Sequence, residues 1–449
     1  MRSTAASGAV LMGIVTVILA YGGWALSFIV PSGRDVWLPL EYAGLIAFSA
    51  WIAWGALALC YRNGNHNILP LTMFIITVAW LETYRLGFST EDFSQGPRQA
   101  VFIAAGLALF LAVVVCLRDY RILEDYKYIF LILALLIQIS VMLFGMRING
   151  ATLWVDIGGH SFQPFEFTRI LLVFFLASYL RQFRGWLRMD LISENWRLPH
   201  RAFIMLGLGM AAAEILLVVQ RDLGMALLLF GIFVSLFYAV TNRKDILALA
   251  FGLSSVGAYF CWRIYPHVQE RVSNWLDPFV AFDGSGYQIC QAIFSLANAG
   301  LDGTGLGLGG AAYIPAVVND FTFVAIAEEF GIMGAGALLA GMILLFAECF
   351  GISLRVKDEF GSILAAGLVY MLAWQSLINL LGVTKVLPMT GVALPFVSAG
   401  GTSMLSCFAV LALLWRIDIS DTPLKKTKRI RRADGASGTE RALEAENGR

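Results

Sequence analysis

What most constrains this chain is a series of about twelve apolar runs, each long enough to cross a bilayer. They lie at about 8–30, 37–61, 68–86, 99–117, 128–146, 164–182, 202–220, 223–241, 246–264, 322–348, 360–381 and 402–416. A helix needs roughly 20 apolar residues to span the hydrocarbon, and a spanning segment must satisfy its backbone polar groups internally, as a helix does. Composition agrees: of 449 residues 59% are hydrophobic and 14% charged, with mean hydropathy +0.74, whereas a soluble domain is about 25% charged. The expected fold is an all-α polytopic membrane protein. It has about twelve transmembrane helices and a large extracytoplasmic loop between the ninth and tenth. Only Gln220-Arg221-Asp222 separates the seventh run from the eighth. The first run follows Arg2 without an A-x-A-like cleavage site and reads as a retained helix. Six cysteines are scattered without metal spacing or a disulfide framework and read as single buried thiols. The net charge of +1 identifies no partner, and no nucleic acid is expected.

Lys and Arg in short loops orient such a chain. With the N-terminus cytoplasmic, the inner loops carry Arg62; Arg118, Arg121 and Lys127; Arg184, Arg188, Arg197 and Arg201; Arg243 and Lys244; Arg355 and Lys357. The outer loops hold Arg34, Arg98, Arg147, Arg221, Arg271 and Lys385, spread over more residues. Both termini are therefore expected in the cytoplasm. The tail 417–449 begins basic, continues Gly/Ala/Glu-rich, and reads as disordered.

Three outer segments depart from plain loops. NGATLWVDIGGHSFQPFEFTR (149–169) is rich in glycine and polar residues, with Pro164 and Glu166 placed as a well-made helix start would place them. The longest loop, about 265–320, contains GTGLGLGG and ends at Asp320. A phosphate cradle is a weak reading of that glycine run, because no strand precedes it; tight packing is the simpler one. GVTKVLPMTGVALPFVSAGGTS (382–403) is broken by Pro388 and Pro395 and carries Lys385. Together the three describe an outward cavity holding Asp320, Glu166 and a few cations. Ionisable residues in such places are functional candidates, although a capping role for Asp320 is an even alternative on chemistry alone.

These motifs, with QRDLG and NDFTFVAIAEEFGIMG, occur in an order that resembles the SEDS family, the shape, elongation, division and sporulation proteins that include RodA and FtsW. The resemblance spans roughly 147–416. RDYRILEDYKY and GVTKVLPMTG look RodA-like, and two helices at the N-terminus look additional to the family's usual ten. The expected organisation is residues 1–146 as N-terminal helices, 147–416 as the catalytic core and 417–449 as the tail.

The resemblance implies a peptidoglycan glycosyltransferase that polymerises lipid II on the outer face of a bacterial cytoplasmic membrane, beside a class B penicillin-binding protein and elongasome or divisome proteins. The family's essential acid falls on Asp320, as a general base for the acceptor 4-hydroxyl. Lys385, Arg271, Arg147, Arg221, Glu166, Ser398, Gly400 and Gly401 are candidates for substrate contact. Glu328 and Glu329 are supporting acids. A divalent cation, Mg2+ or Mn2+, is a candidate for the leaving diphosphate. The sequence departs from the family pattern at Asn319, at Ala399, at Arg221 and in NGATLW, which lacks a basic residue. A lipid II flippase and a non-catalytic scaffold are the competing functions.

Overall fold

The computed structural model describes residues 2–61, 64–148, 151–157, 160–187 and 197–421. Its helices are α1 (Arg2–Ser27), α2 (Leu38–Cys60), α3 (Ile68–Ser89), α4 (Gln95–Cys116), α5 (Lys127–Phe144), α6 (Phe165–Leu187), α7 (Arg197–Val219) and α8 (Leu223–Thr241), followed by α9 (Lys244–Ile264), α10 (Pro266–Leu276), α11 (Tyr287–Asn298), α12 (Val317–Asp320), α13 (Thr322–Arg355), α14 (Glu359–Val383) and α15 (Gly401–Asp421). Among the described residues eleven helices are long and apolar enough to cross a membrane, against the about twelve runs in the sequence. The sixth run is helical too, but α6 carries Glu166, Arg169, Arg181 and Arg184. The basic cluster of the tail lies outside the described residues.

At the centre α3, α13 and α14 pack in sequence, with α14 also against α6 and α8, and α15 against α4. The α1–α2 hairpin flanks α3. By contrast α9 has no buried residue, and its main helix contacts are with α8 and α10. The boundary between the seventh and eighth runs is sharp. Arg221 adopts a left-handed conformation (φ 65°), and Asp222 caps α8 by accepting the Met225 N–H at 3.1 Å.

The segment after α5 departs from the all-α expectation and forms a small antiparallel sheet. Its strands are β1 (Met146–Ile148), β2 (Ala151–Ile157) and β3 (His160–Phe162), with Trp154 opposite Met146 and Asp156 opposite Ser161. Thr152, Leu153, Trp154 and Val155 are good strand formers, and this outweighs the glycines around them. Asn149-Gly150 and Gly158-Gly159, between the strands, lie outside the described residues.

Two breaks interrupt the helical core. Within α13, Gly331 (φ 68°, ψ −174°) ends one helical stretch and begins another. The freed Glu328 and Glu329 carbonyls accept the Thr304 and Gly305 N–H groups at 2.9 and 3.0 Å, and the Ile332 and Met333 N–H groups reach the carbonyls of Gly300 and Leu301. The second break is the non-helical segment 384–400. There Gln375 and Asn379, one turn apart on α14, donate to the Ala393 and Val392 carbonyls at 2.9 and 2.7 Å. Irregular backbone inside a bundle persists only when protein groups satisfy it in this way.

A buried polar quartet pins α6 to α14 and α15. Arg169 forms an ion pair with Glu166, donates to Gln375 at 2.7 Å and to Ser406 at 3.2 Å, and Ser406 donates to Glu166 at 2.6 Å.

Two outcomes follow from these constraints. In Gly331→Ala a Cβ overlaps the Leu301 carbonyl and the Gly303 nitrogen, so unfolding in detergent should be easier by about 2–4 kcal/mol, read as a lower thermal midpoint. Arg169→Met leaves Glu166 buried without its cation and should cost about 3–5 kcal/mol, whereas the double variant Glu166→Gln/Arg169→Met recovers most of that loss. Additive midpoints in that cycle would refute the coupling.

Candidate functional site

Four segments meet at one end of the bundle: the sheet and start of α6, the α7–α8 corner, the loop carrying α10 to α12, and the segment 384–400. Asp320 is the last residue of the one-turn helix α12, entered through Ala316 in the left-handed region (φ 54°). The backbone there is gripped from α14 and from the broken segment. Asn379 donates to the Asp320 carbonyl at 3.0 Å, and the Ala399 N–H donates to the Val318 carbonyl at 2.8 Å. The carboxyl is half-buried at its surface with protein packed around it, and that burial pushes it up to about 6, with the Arg271 guanidinium pulling against the rise.

Arg271, on α10, is exposed and donates to the Thr390 carbonyl at 3.1 Å. Gly391 (φ 76°) lies between it and the acid: a Cβ there would sit 3.7 Å from Asp320 Oδ2 and 4.0 Å from Arg271 Nη2. The left-handed backbone favours glycine at that position.

Asp222 is a second acid of the site, absent from the residues singled out in the sequence. It is buried; its Oδ1 caps α8, and its Oδ2 has no hydrogen-bond partner among the described residues. Burial raises its carboxyl to about 6; the cap and Arg271 oppose the rise, and Glu166 adds to it. His267, on α10, is held below the usual histidine range by burial and by the nearby Arg271 and Arg221. Two acids with raised pKa therefore share one exposed guanidinium, beside a neutral imidazole. The sequence signal for Asp222 was QRDLG, where an acid follows a helix corner.

The other expected residues are placed differently. Arg221 is exposed near His267. Arg147 is on β1, and its side chain lies outside the described residues. Glu166 is committed to the quartet with Arg169 and Ser406. Lys385 (φ 60°) follows α14; its carbonyl accepts the Trp275 indole at 3.2 Å, and its charge acts on Cys290 rather than on Asp320. Ser398 closes its own turn, its hydroxyl accepting the Leu394 N–H at 2.8 Å. Gly401 begins α15 against the Phe102 ring, and Gly400 lies beside Ser403.

Glu328 and Glu329 face the glycine-rich loop. Gly307 and Gly309 donate to the Glu329 carboxylate at 2.9 and 3.2 Å, and Gly310 donates to that of Glu328 at 3.0 Å. Arg85 of α3 completes the arrangement with an ion pair to Glu329 and a 2.7 Å bond to the Gly309 carbonyl. The glycine run does cradle an anion, but the anion is the chain's own carboxylate. An apolar cleft of about 490 Å3 between α4, α6 and α15 has no Asp, Glu, Lys, Arg or His in its lining and is separate from this site.

Comparison with known proteins places the chain. The family model of cell cycle proteins covering FtsW, RodA and SpoVE matches residues 63–422. The chain is 35% identical over 390 residues to the peptidoglycan glycosyltransferase RodA of Mycobacterium tuberculosis, covering 83% of this chain and 82% of that protein. It is 28% identical to the stage V sporulation protein E of Bacillus subtilis over 77% of this chain and 95% of the other. A chain of a peptidoglycan synthase complex, studied for the coordination of polymerization and crosslinking, superposes with TM-score 0.67 at 26% identity, covering 80% of this chain and 99% of that one. The RodA crystal structure from Thermus thermophilus shares the fold, with TM-score 0.58 at 23% identity over 80% of this chain and 98% of that one. The chain therefore belongs to the family of cell cycle proteins that includes FtsW, RodA and SpoVE, the SEDS proteins.

Proposed function

We propose that this protein is a peptidoglycan glycosyltransferase that polymerises lipid II, with Asp320 as the general base. The observation that carries the reading is Asp320 itself: a carboxyl raised to about 6 and set across Gly391 from an exposed guanidinium, in a chain 35% identical to a RodA glycosyltransferase. The acceptor sugar's 4-hydroxyl oxygen bonds to the donor's anomeric carbon as the carbon–oxygen bond to the lipid diphosphate breaks. The hydroxyl proton passes to Asp320. A positioned base of this kind typically contributes about 10²–10⁴-fold, and Arg271, with Arg221 nearby, offsets the charge that builds on the diphosphate. Asp222, with one oxygen unpartnered, is a second proton or substrate contact.

Orientation supports the same reading. The end opposite the site holds Arg118, Arg121, Lys127, Arg181, Arg184, Arg243, Lys244, Arg355, Lys357 and Arg416. By the positive-inside rule that end is cytoplasmic and the site is extracytoplasmic, where lipid II is consumed. A class B penicillin-binding protein is the proposed partner, consistent with the synthase complex it resembles. Among the described residues no group of three or more His, Cys, Asp or Glu side chains could hold a metal. No step above runs through a metal.

The test supplies labelled lipid II to the purified protein, with its transpeptidase where needed. Wild type should form glycan polymer, and Asp320→Asn should lose at least about 10²-fold. Movement of lipid II across liposomes without polymer would favour transport instead. The base must be ionised, so activity should hold above pH 6 and fall about tenfold per unit below it. A fall nearer a hundredfold per unit would mean that Asp222, also raised to about 6, must be ionised as well.

A further inference from the structure

Residues before 63 lie outside the family match, yet they reach the supports of the site at two points. On α1, Gly22 packs so closely on Leu81 of α3 that a Cβ would overlap the leucine side chain. Leu81 is four residues before Arg85. Just past α1, Ile29 lies against the glycine-rich loop: a Cβ on Gly307 would meet Ile29 Cδ1 at 3.1 Å and Cγ2 at 3.2 Å. Gly307 sits in the left-handed region (φ 83°), and its N–H is one of the two that hold the Glu329 carboxylate.

These contacts converge on one residue. The Glu329 carboxylate binds the loop and Arg85, and its backbone carbonyl, freed at the Gly331 break, accepts the Gly305 N–H. The short helical stretch ending there starts at Thr322, two residues after Asp320. The loop thus fixes one end of a rod whose other end carries the acid. Carboxylate, guanidinium and amide groups buried together hold one geometry only while every partner stays in place.

We propose that the N-terminal α1–α2 hairpin is a positioning element for Asp320, with Ile29 seating the glycine loop on Glu329. The inference rests on the polymerase reading for its kinetic arm only. Ile29 touches no reacting atom; it acts through the loop, Glu329 and the first stretch of α13. Small displacements of a catalytic group lower the chemical step more than substrate binding, because the aligned encounter is lost.

The test compares wild type, Ile29→Ala, Ile29→Val and, as a control on the lipid-facing side of α1, Val17→Ala, which is 68% exposed in wild type. In Ile29→Ala, kcat for lipid II polymerisation should fall about tenfold with KM changed less than about twofold. Ile29→Val should restore most of the rate, and Val17→Ala should match wild type. Hydrogen exchange of the 303–310 amides should rise about tenfold in Ile29→Ala, with the α14 amides unchanged. Unaltered loop exchange and kcat in Ile29→Ala would overturn the proposal, as would faster exchange throughout α3, α13 and α14. If wild type itself forms no polymer, the polymerase reading falls. The exchange arm then still decides whether the hairpin seats the loop.

Discussion

A backbone carbonyl released inside a membrane bundle must find a donor within the protein, because lipid offers none. The end of this molecule that carries the site is organised around that demand. The break at Gly331 frees two carbonyls, and the loop amides of Thr304 and Gly305 take them. The segment after α14 is non-helical apart from a turn at Leu394–Ser398, and Gln375 and Asn379 take two of its carbonyls. Asn379 also holds the carbonyl of Asp320. One amide side chain thus ties the broken segment to the residue that the chemistry requires.

Charge is managed by the same economy of partners. Glu166 and Glu329 are each buried, and each has an arginine and further donors, so each acts as a fixed strut. Asp320 and Asp222 differ. Neither has an ion pair among the described residues, and both feel a cation that is itself exposed. Satisfied acids hold the scaffold, while incompletely satisfied ones retain the capacity to exchange a proton.

Much of the architecture was legible in the sequence because bilayer-spanning helices write their length directly as apolar runs. The sheet at 146–162 was not, since its strands are short and flanked by glycine. The site was legible in part. Chemistry alone left Asp320 balanced between cap and base, and the family motif selected it. Glu328 and Glu329 were read as supporting acids, but their partner is a loop about 20 residues upstream that periodicity cannot reveal. Lys385 and Asp320 both lie in outer segments, but the cation that acts on Asp320 is Arg271, while Lys385 acts on Cys290. Asp222 was passed over as part of a helix boundary, because burial is invisible in a three-residue corner.

The isolation of α9 has a mechanical meaning. With no residue buried in protein, its main neighbour is lipid, so its tilt adjusts to the thickness of the surrounding hydrocarbon. Tyr265 joins it directly to α10, at whose centre Arg271 stands. The bonds from Arg271 to the Thr390 carbonyl and from Trp275 to the Lys385 carbonyl tie α10 to the segment 384–400, so Tyr265 is the joint between a helix set by the bilayer and a helix held by the core.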